Sequence, residues 1–156
     1  MDRAAKERGY RAIAEQIDAY LDECDEPVSA MATVAALLKE HLPHVFWAGF
    51  YLARPDGSLR VGPYQGPPGS VLLPPGKGVC GAAYTRRETV LVPDVHDFPG
   101  HIACDLRSRS EIVVPVRNGS RMVGVLDVDS ERVSAFDDVD RTHLERLAGR
   151  IGSLLP

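Results

Sequence analysis

Cysteine is scarce in this sequence: Cys24, Cys80 and Cys104 are the only three in 156 residues. An odd count with no CxxC pair excludes a disulfide framework as the source of stability, and it matches none of the common zinc spacings. No apolar run approaches the roughly 20 residues needed to cross a bilayer. The opening stretch, MDRAAKERGY, is charged rather than apolar, so neither a membrane span nor a secretory leader is expected, and a cytoplasmic location is. Basic residues are not in excess. Eighteen Lys and Arg stand against 22 Asp and Glu, a net charge of −4, which argues against nucleic acid as a partner because phosphates require a basic face. Repeats, linkers and low-complexity segments are also missing, so residues 1–156 are expected to form one domain.

What is present is an ordinary globular balance, 44% apolar and 26% charged, in a chain long enough to bury roughly 70% of its unfolded surface. Residues 10–23 read as an amphipathic helix, with Ile13, Ile17, Tyr20 and Leu21 at spacings of three and four. Ser29 is placed to cap a second helix whose inner face carries Met31, Val34, Leu37 and Leu38, and Pro43 stops it. Residues 45–53 (VFWAGFYLA) are aromatic and β-branched like a strand. Pro55-Asp56-Gly57 marks a turn, and Leu59–Tyr64 forms the return. PPGKGVCG leads into a short helix over 79–86, and Thr89–Val92 is a short strand. Residues 93–110 form a long irregular connection, of the kind that often carries function. A hairpin of Ile112–Val116 and Arg121–Asp129 turns at Asn118-Gly119, and a helix over Phe136–Leu155 opens at Asp137 or Asp138. This order predicts an α+β fold, a mostly antiparallel sheet with helices packed on it.

Several residues could carry chemistry. Cys80 lies in GKGVCG at the start of a predicted helix, where the positive end of the helix dipole lowers a thiol pKa; the alternative is a small buried hydrophobe. Cys104 lies in the long loop, near His96 and His101, and a loop cysteine is a weaker candidate for core filler. His96, His101 and Cys104 could be metal ligands, but their spacing fits no common zinc pattern, and no metal or cofactor is expected. Asp127 and Asp129 are two apart in VGVLDVDS and so share one face with Val125, while Leu126 and Val128 take the other. Two carboxylates there form either a solvated face or an acidic pocket for a cationic group or a shared proton. Glu111 opens an otherwise apolar strand. Trp47 and Tyr51 lie in the first strand, as core or as a pocket wall. Cys24, beside Asp22 and Glu23 at a helix end, reads as incidental.

WAGFY (47–51), GPYQG (62–66), GKGVCG (76–81), DVHDFPGHIACDLRSRSEIVVPV (94–116) and GVLDVDS (124–130) together resemble the free methionine-(R)-sulfoxide reductases, a family with a GAF fold. The resemblance runs from about residue 10 to the C-terminal helix, and GHIACD followed by SRSEIVVP is its most specific part. It implies that Cys104 is the nucleophile and Cys80 the second motif cysteine. It implies that Glu111, Asp127 and Asp129 line an acidic substrate pocket walled by Trp47 and Tyr51. Reduction of free methionine (R)-sulfoxide through a sulfenic acid and a disulfide, recycled by thioredoxin, is the expected chemistry, and a homodimer the expected assembly. One departure stands out: many members carry a third cysteine where this chain has Ser70, so resolution falls to Cys80 or to an outside thiol. The reverse assignment, with Cys80 attacking and Cys104 resolving, stays open, as does a GAF module that only binds a ligand or senses redox state.

Overall fold

The computed structural model describes residues 1–101 and 106–156. Four α-helices and six β-strands follow in the order α1 (Arg3–Glu23), α2 (Pro27–His41), β1 (Trp47–Ala53), β2 (Leu59–Gln65), β3 (Leu72–Leu73), α3 (Gly78–Arg86), β4 (Val90–Val92), β5 (Ser110–Asn118), β6 (Arg121–Ser130) and α4 (Asp138–Gly152), with one 3-10 turn at Val95–Asp97. The strands form one sheet in the order β3-β2-β1-β6-β5-β4, and every neighbouring pair is antiparallel. The α+β expectation holds. No helix among the described residues is long and apolar enough to cross a membrane.

Alternation along the strands divides the molecule into two apolar cores. Ala48 and Phe50 of β1, Ile112, Val114 and Val116 of β5, and Leu126 and Val128 of β6 point to one face, where α1, α2 and α4 bury Tyr10, Ile13, Ile17, Met31, Val34, Leu38, Leu144 and Ile151 against them. Trp47 and Tyr51, Val113, and Val125 point to the other face, beneath α3 and the loops, with Cys80, Val79 and Ala83. The first core is the larger. The second is the one interrupted by carboxylates, and the site lies there.

Helix ends differ from the sequence reading for identifiable reasons. The first helix starts at Arg3 rather than residue 10, because Asp2 caps it through the Ala5 amide (2.7 Å) and because its first turn buries Lys6, a charged residue that hydrophobic periodicity cannot register. In α2 the cap is Glu26 rather than Ser29: its carboxylate takes the Val28 amide at 3.1 Å, and Pro27 occupies the first helical position, where a missing N–H costs nothing. The last helix runs over 138–152, and Asp137 and Asp140 form a reciprocal capping box at its start. Phe136 is buried just ahead of it instead of inside it.

Candidate functional site

Cross-strand register assembles the site. Trp47 of β1 pairs with Asp129 of β6, and Asp129 in turn pairs with Glu111 of β5. One step along, Gly49 pairs with Asp127, and Asp127 with Val113. Tyr51 pairs with Val125. Residues directly opposite on antiparallel strands have side chains about 5 Å apart on the same face, so three adjacent strands bring two aromatic rings and three carboxyls into one patch. The expected shared face of Val125, Asp127 and Asp129 is therefore present, and it faces inward rather than to solvent.

The aromatic wall is fixed by polar handles. Trp47 donates its indole N–H to the Pro67 carbonyl (3.0 Å), and Tyr51 donates its hydroxyl to the Ser70 carbonyl (3.0 Å). The two rings stack 6.0 Å apart, and Tyr64 stacks on the far side of Trp47 at 5.2 Å. Ser70, the position of the absent third cysteine, thus meets the site through its backbone. Gly49 makes this packing possible: a Cβ there would stand 2.3 Å from Tyr64 Cβ and 2.7 Å from Trp47 Cη2, closer than any side chain tolerates.

The glycines of GKGVCG work as the sequence suggests. Gly76 and Gly78 adopt φ of +69° and +70°, a region open to glycine at little cost, and this turns the chain into α3. Cys80 follows in the first turn of α3, buried at 4% exposure. Its environment reverses the predicted effect of the helix end. Burial first, then the charges of Asp127, Glu111 and Asp129, raise its thiol well above the ordinary value. The dipole is worth a fraction of what three carboxyls and a dry setting impose, so Cys80 is held as a thiol.

Glu111 and Asp127 are each 5% exposed. Burial and the charge of Asp129 lift Glu111 to about 8, with hydrogen bonding to Asp127 pulling the other way. Burial and the charge of Glu111 likewise hold Asp127 well above the carboxylate range. Near neutral pH this corner of the site therefore stores protons, as a site needs if it is to protonate a leaving oxygen. One oxygen of Asp127, Oδ1, is buried with no hydrogen-bond partner among the described residues.

These side chains line a cleft of about 410 Å³, its mouth included, with walls from Phe46, Trp47, Tyr51, His101, Glu111, Asp127 and Asp129. A smaller adjoining cavity shares Tyr51, His101, Glu111 and Asp127 and reaches Cys80 and the start of α3. The fold thus gathers Trp47, Tyr51, Cys80, Glu111, Asp127 and Asp129 in one place. Cys104 lies outside the described residues. Cys24 is a half-buried free thiol at the end of α1, bonded to the Tyr20 hydroxyl at 3.5 Å and apart from this patch.

Three contributors escaped the sequence reading as site residues. His101 Nε2 lies 3.5 Å from Glu111 Oε2, and burial lowers the imidazole pKa. Ser108 donates to Asp129 Oδ1 at 3.3 Å. Phe46 roofs the mouth under the Arg107 guanidinium, 4.7 Å from its ring. All lie just outside regular strands, where no periodicity signals orientation; only the proximity of His101 to Cys104 in sequence pointed to one of them. His96, by contrast, is exposed and bonds Asp94 at 3.0 Å, so it does not join the cluster.

Similarity to known proteins agrees with this architecture. The model of the GAF domain family matches residues 26–155. Free methionine-R-sulfoxide reductase of Escherichia coli (strain K12) is 43% identical over 128 residues, which cover 82% of this chain and 77% of that protein. Protein YtsP of Bacillus subtilis (strain 168) is 44% identical over 144 residues, covering 92% and 88%. The X-ray structure of free methionine-R-sulfoxide reductase from Neisseria meningitidis in complex with its substrate aligns with a TM-score of 0.88 at 42% identity, covering 93% of this chain and 87% of that one. The chain belongs to the GAF domain family, and within it is a relative of the free methionine-R-sulfoxide reductases.

Proposed function

We propose that this protein reduces free L-methionine (R)-sulfoxide to methionine, with Cys104 as the attacking thiolate, Cys80 as the resolving thiol and thioredoxin as the reductant. The observation that carries this reading is the burial of Cys80 against Glu111 and Asp127, two carboxyls held protonated, at the end of a cleft with an aromatic wall. A free amino acid brings an ammonium that a peptide residue lacks, and the carboxyl oxygens of Asp127, Asp129 and Glu111 suit it as hydrogen-bond acceptors. The rings of Trp47 and Tyr51 suit the methyl-sulfur end, where sulfur–aromatic contacts contribute up to ~1.5 kcal/mol.

In the proposed sequence, the Cys104 thiolate attacks the sulfoxide sulfur while a carboxyl, Glu111 first among the candidates, gives its proton to the oxygen. The S–O bond breaks with a second proton and releases water, leaving Cys104 bonded to a sulfonium sulfur. Water then attacks the Cys104 sulfur, methionine departs with the S–S electron pair, a proton is released, and Cys104 is left as a sulfenic acid. Cys80 then attacks the Cys104 sulfur and expels water, forming a disulfide. The dithiol of thioredoxin reduces that disulfide by exchange. The balance is one sulfoxide and two thiols giving methionine, water and one disulfide. The raised thiol of Cys80 supports this order over its reverse, since the thiolate is the attacking species and burial among carboxyls holds Cys80 in its thiol form. A homodimer and a cytoplasmic location complete the proposal.

Thioredoxin-coupled NADPH oxidation tests it, with free L-methionine (R)-sulfoxide set against the S epimer and a peptide-bound sulfoxide. Selective turnover of the free R form is expected, abolished by Cys104→Ser. A protein inactive with both thioredoxin and dithiothreitol would instead be a ligand-binding or redox-sensing GAF domain.

A further inference from the structure

We infer that Cys80, Glu111 and Asp127 form a three-ligand site for a thiophilic divalent metal ion, with zinc(II) as the best chemical match. The three side chains come from α3, β5 and β6, and one potential ligand atom of each lies within 4.8 Å of the others. Zinc holds thiolate sulfur at about 2.3 Å and carboxylate oxygen at about 2.0–2.2 Å, so its tetrahedral ligands stand roughly 3.3–3.7 Å apart. Side-chain shifts of about an ångström would close the cluster to that geometry.

A second observation points the same way. Asp127 Oδ1 is buried without a hydrogen-bond partner among the described residues, although its side chain is only 5% exposed and borders both cavities. Buried carboxylate oxygens are nearly always satisfied, so an orphan beside a thiol and a second carboxyl marks a place for a cation. The ligand set decides which cation. A thiolate disfavours magnesium and calcium, and two carboxylates beside it suit a borderline ion that needs no fixed d-electron geometry. The three ligands line the smaller cavity together with His101, which stands 3.5 Å from Glu111, a spacing suited to neighbouring ligands of one ion. The sequence offered only His96, His101 and Cys104 as ligands, at a spacing that fits no common zinc pattern, because the three ligands here belong to separate elements that only the fold brings together.

A metal here would withdraw Cys80 from thiol exchange and fill the carboxyl pocket, blocking the proposed reduction. That consequence rests on the proposed function; the binding itself does not. Binding is measured on the full-length, reduced, chelator-stripped protein. Zinc is titrated in competition with a chromophoric chelator, and cobalt(II) serves as a spectroscopic probe. One equivalent of zinc is expected, with a thiolate-to-cobalt charge-transfer band. Cys80→Ser should remove the band, and both Cys80→Ser and Asp127→Asn should weaken zinc by about tenfold or more. Cys24→Ser should change neither. Thermal melts of the metal-free variants establish that they are folded; should Cys80→Ser fail to fold, Asp127→Asn, which keeps the thiol, decides alone. No stoichiometric binding by the unaltered protein, a charge-transfer band that survives Cys80→Ser, or zinc affinity unchanged in Asp127→Asn would each overturn the assignment. An inactive reductase assay alongside positive zinc binding would count against the proposed function alone.

Discussion

Glu111 shows how one residue links the site to the stability of the whole. Its carboxyl ordinarily titrates at 4.5, and burial beside Asp129 lifts it to about 8 in the folded protein. Between those values the folded state keeps a proton that the unfolded chain has lost. Stability tied to this group is thus fully present below 4.5 and falls as pH rises, by up to ~1.4 kcal/mol per pH unit, until the carboxyl ionises near 8. Asp127 shifts in the same direction and steepens the decline, while Cys80, raised from an ordinary 9.0, adds its own loss only above about pH 9. Urea unfolding at intervals from about pH 5 to about pH 8 should show stability decreasing, and Glu111→Gln should flatten the slope and be the more stable protein at the alkaline end. A variant with the wild-type slope would mean that Glu111 carries no such proton. Glu111 also shows the limit of the sequence. Its place at the head of an apolar strand was visible, but its partners lie on β6, and a strand read alone does not say which carboxyl it will face.

At the scale of elements, the site is a property of register, and β6 was the most legible part of the chain. Strict alternation over Val125–Asp129 assigned two faces, and the two cores receive the residues so assigned. The partners were less legible. A strand sequence does not reveal that Trp47 will pair with Asp129 and Gly49 with Asp127, and α3 was read from its dipole alone, without the carboxyls that overrule it on Cys80. Gly49 tests the register most directly. A methyl group at this position collides with Tyr64 and Trp47, on the strand pair already shifted by a bulge between Gly49 and Tyr51. Gly49→Ala is expected to cost about 1–3 kcal/mol and to displace the indole ring. Trp47 is the sole tryptophan, so its fluorescence reports that movement without ambiguity. An unshifted spectrum together with wild-type stability would show that the wall does not depend on this close approach.

The whole molecule is tied together on the face opposite the site by a buried polar network, and it is the least legible feature of the sequence because its members are far apart and only Tyr10 lies on an apolar stripe. Asp140 is fully buried at the start of α4. It accepts from Lys6 Nζ (2.5 Å) and Tyr10 Oη (2.7 Å) of α1, and lies 3.0 Å from His44 Nε2 in the connection after α2. Lys6 also bonds the Ala135 carbonyl at 2.8 Å. These contacts, His44 first among them, bring the Asp140 carboxyl down to about 2 despite its burial. A depressed carboxyl stabilises the fold above its ordinary 3.8 and loses that contribution as pH falls toward 2, the mirror image of Glu111. The two together place maximal stability between the acid loss and the alkaline one. Breaking a buried ion pair by removing one partner typically costs about 3–5 kcal/mol, with the Asp137 carboxylate, 3.1 Å from Lys6 Nζ, softening the loss when Asp140 goes, whereas removing both can cost far less. Lys6→Met and Asp140→Asn should therefore each destabilise strongly, and the double variant by clearly less than their sum. Because the network lies across the sheet from the cleft, the folded fraction of each variant should retain its ligand affinity. Strictly additive losses in a denaturant double-mutant cycle would show that α1 is held by its apolar stripe alone.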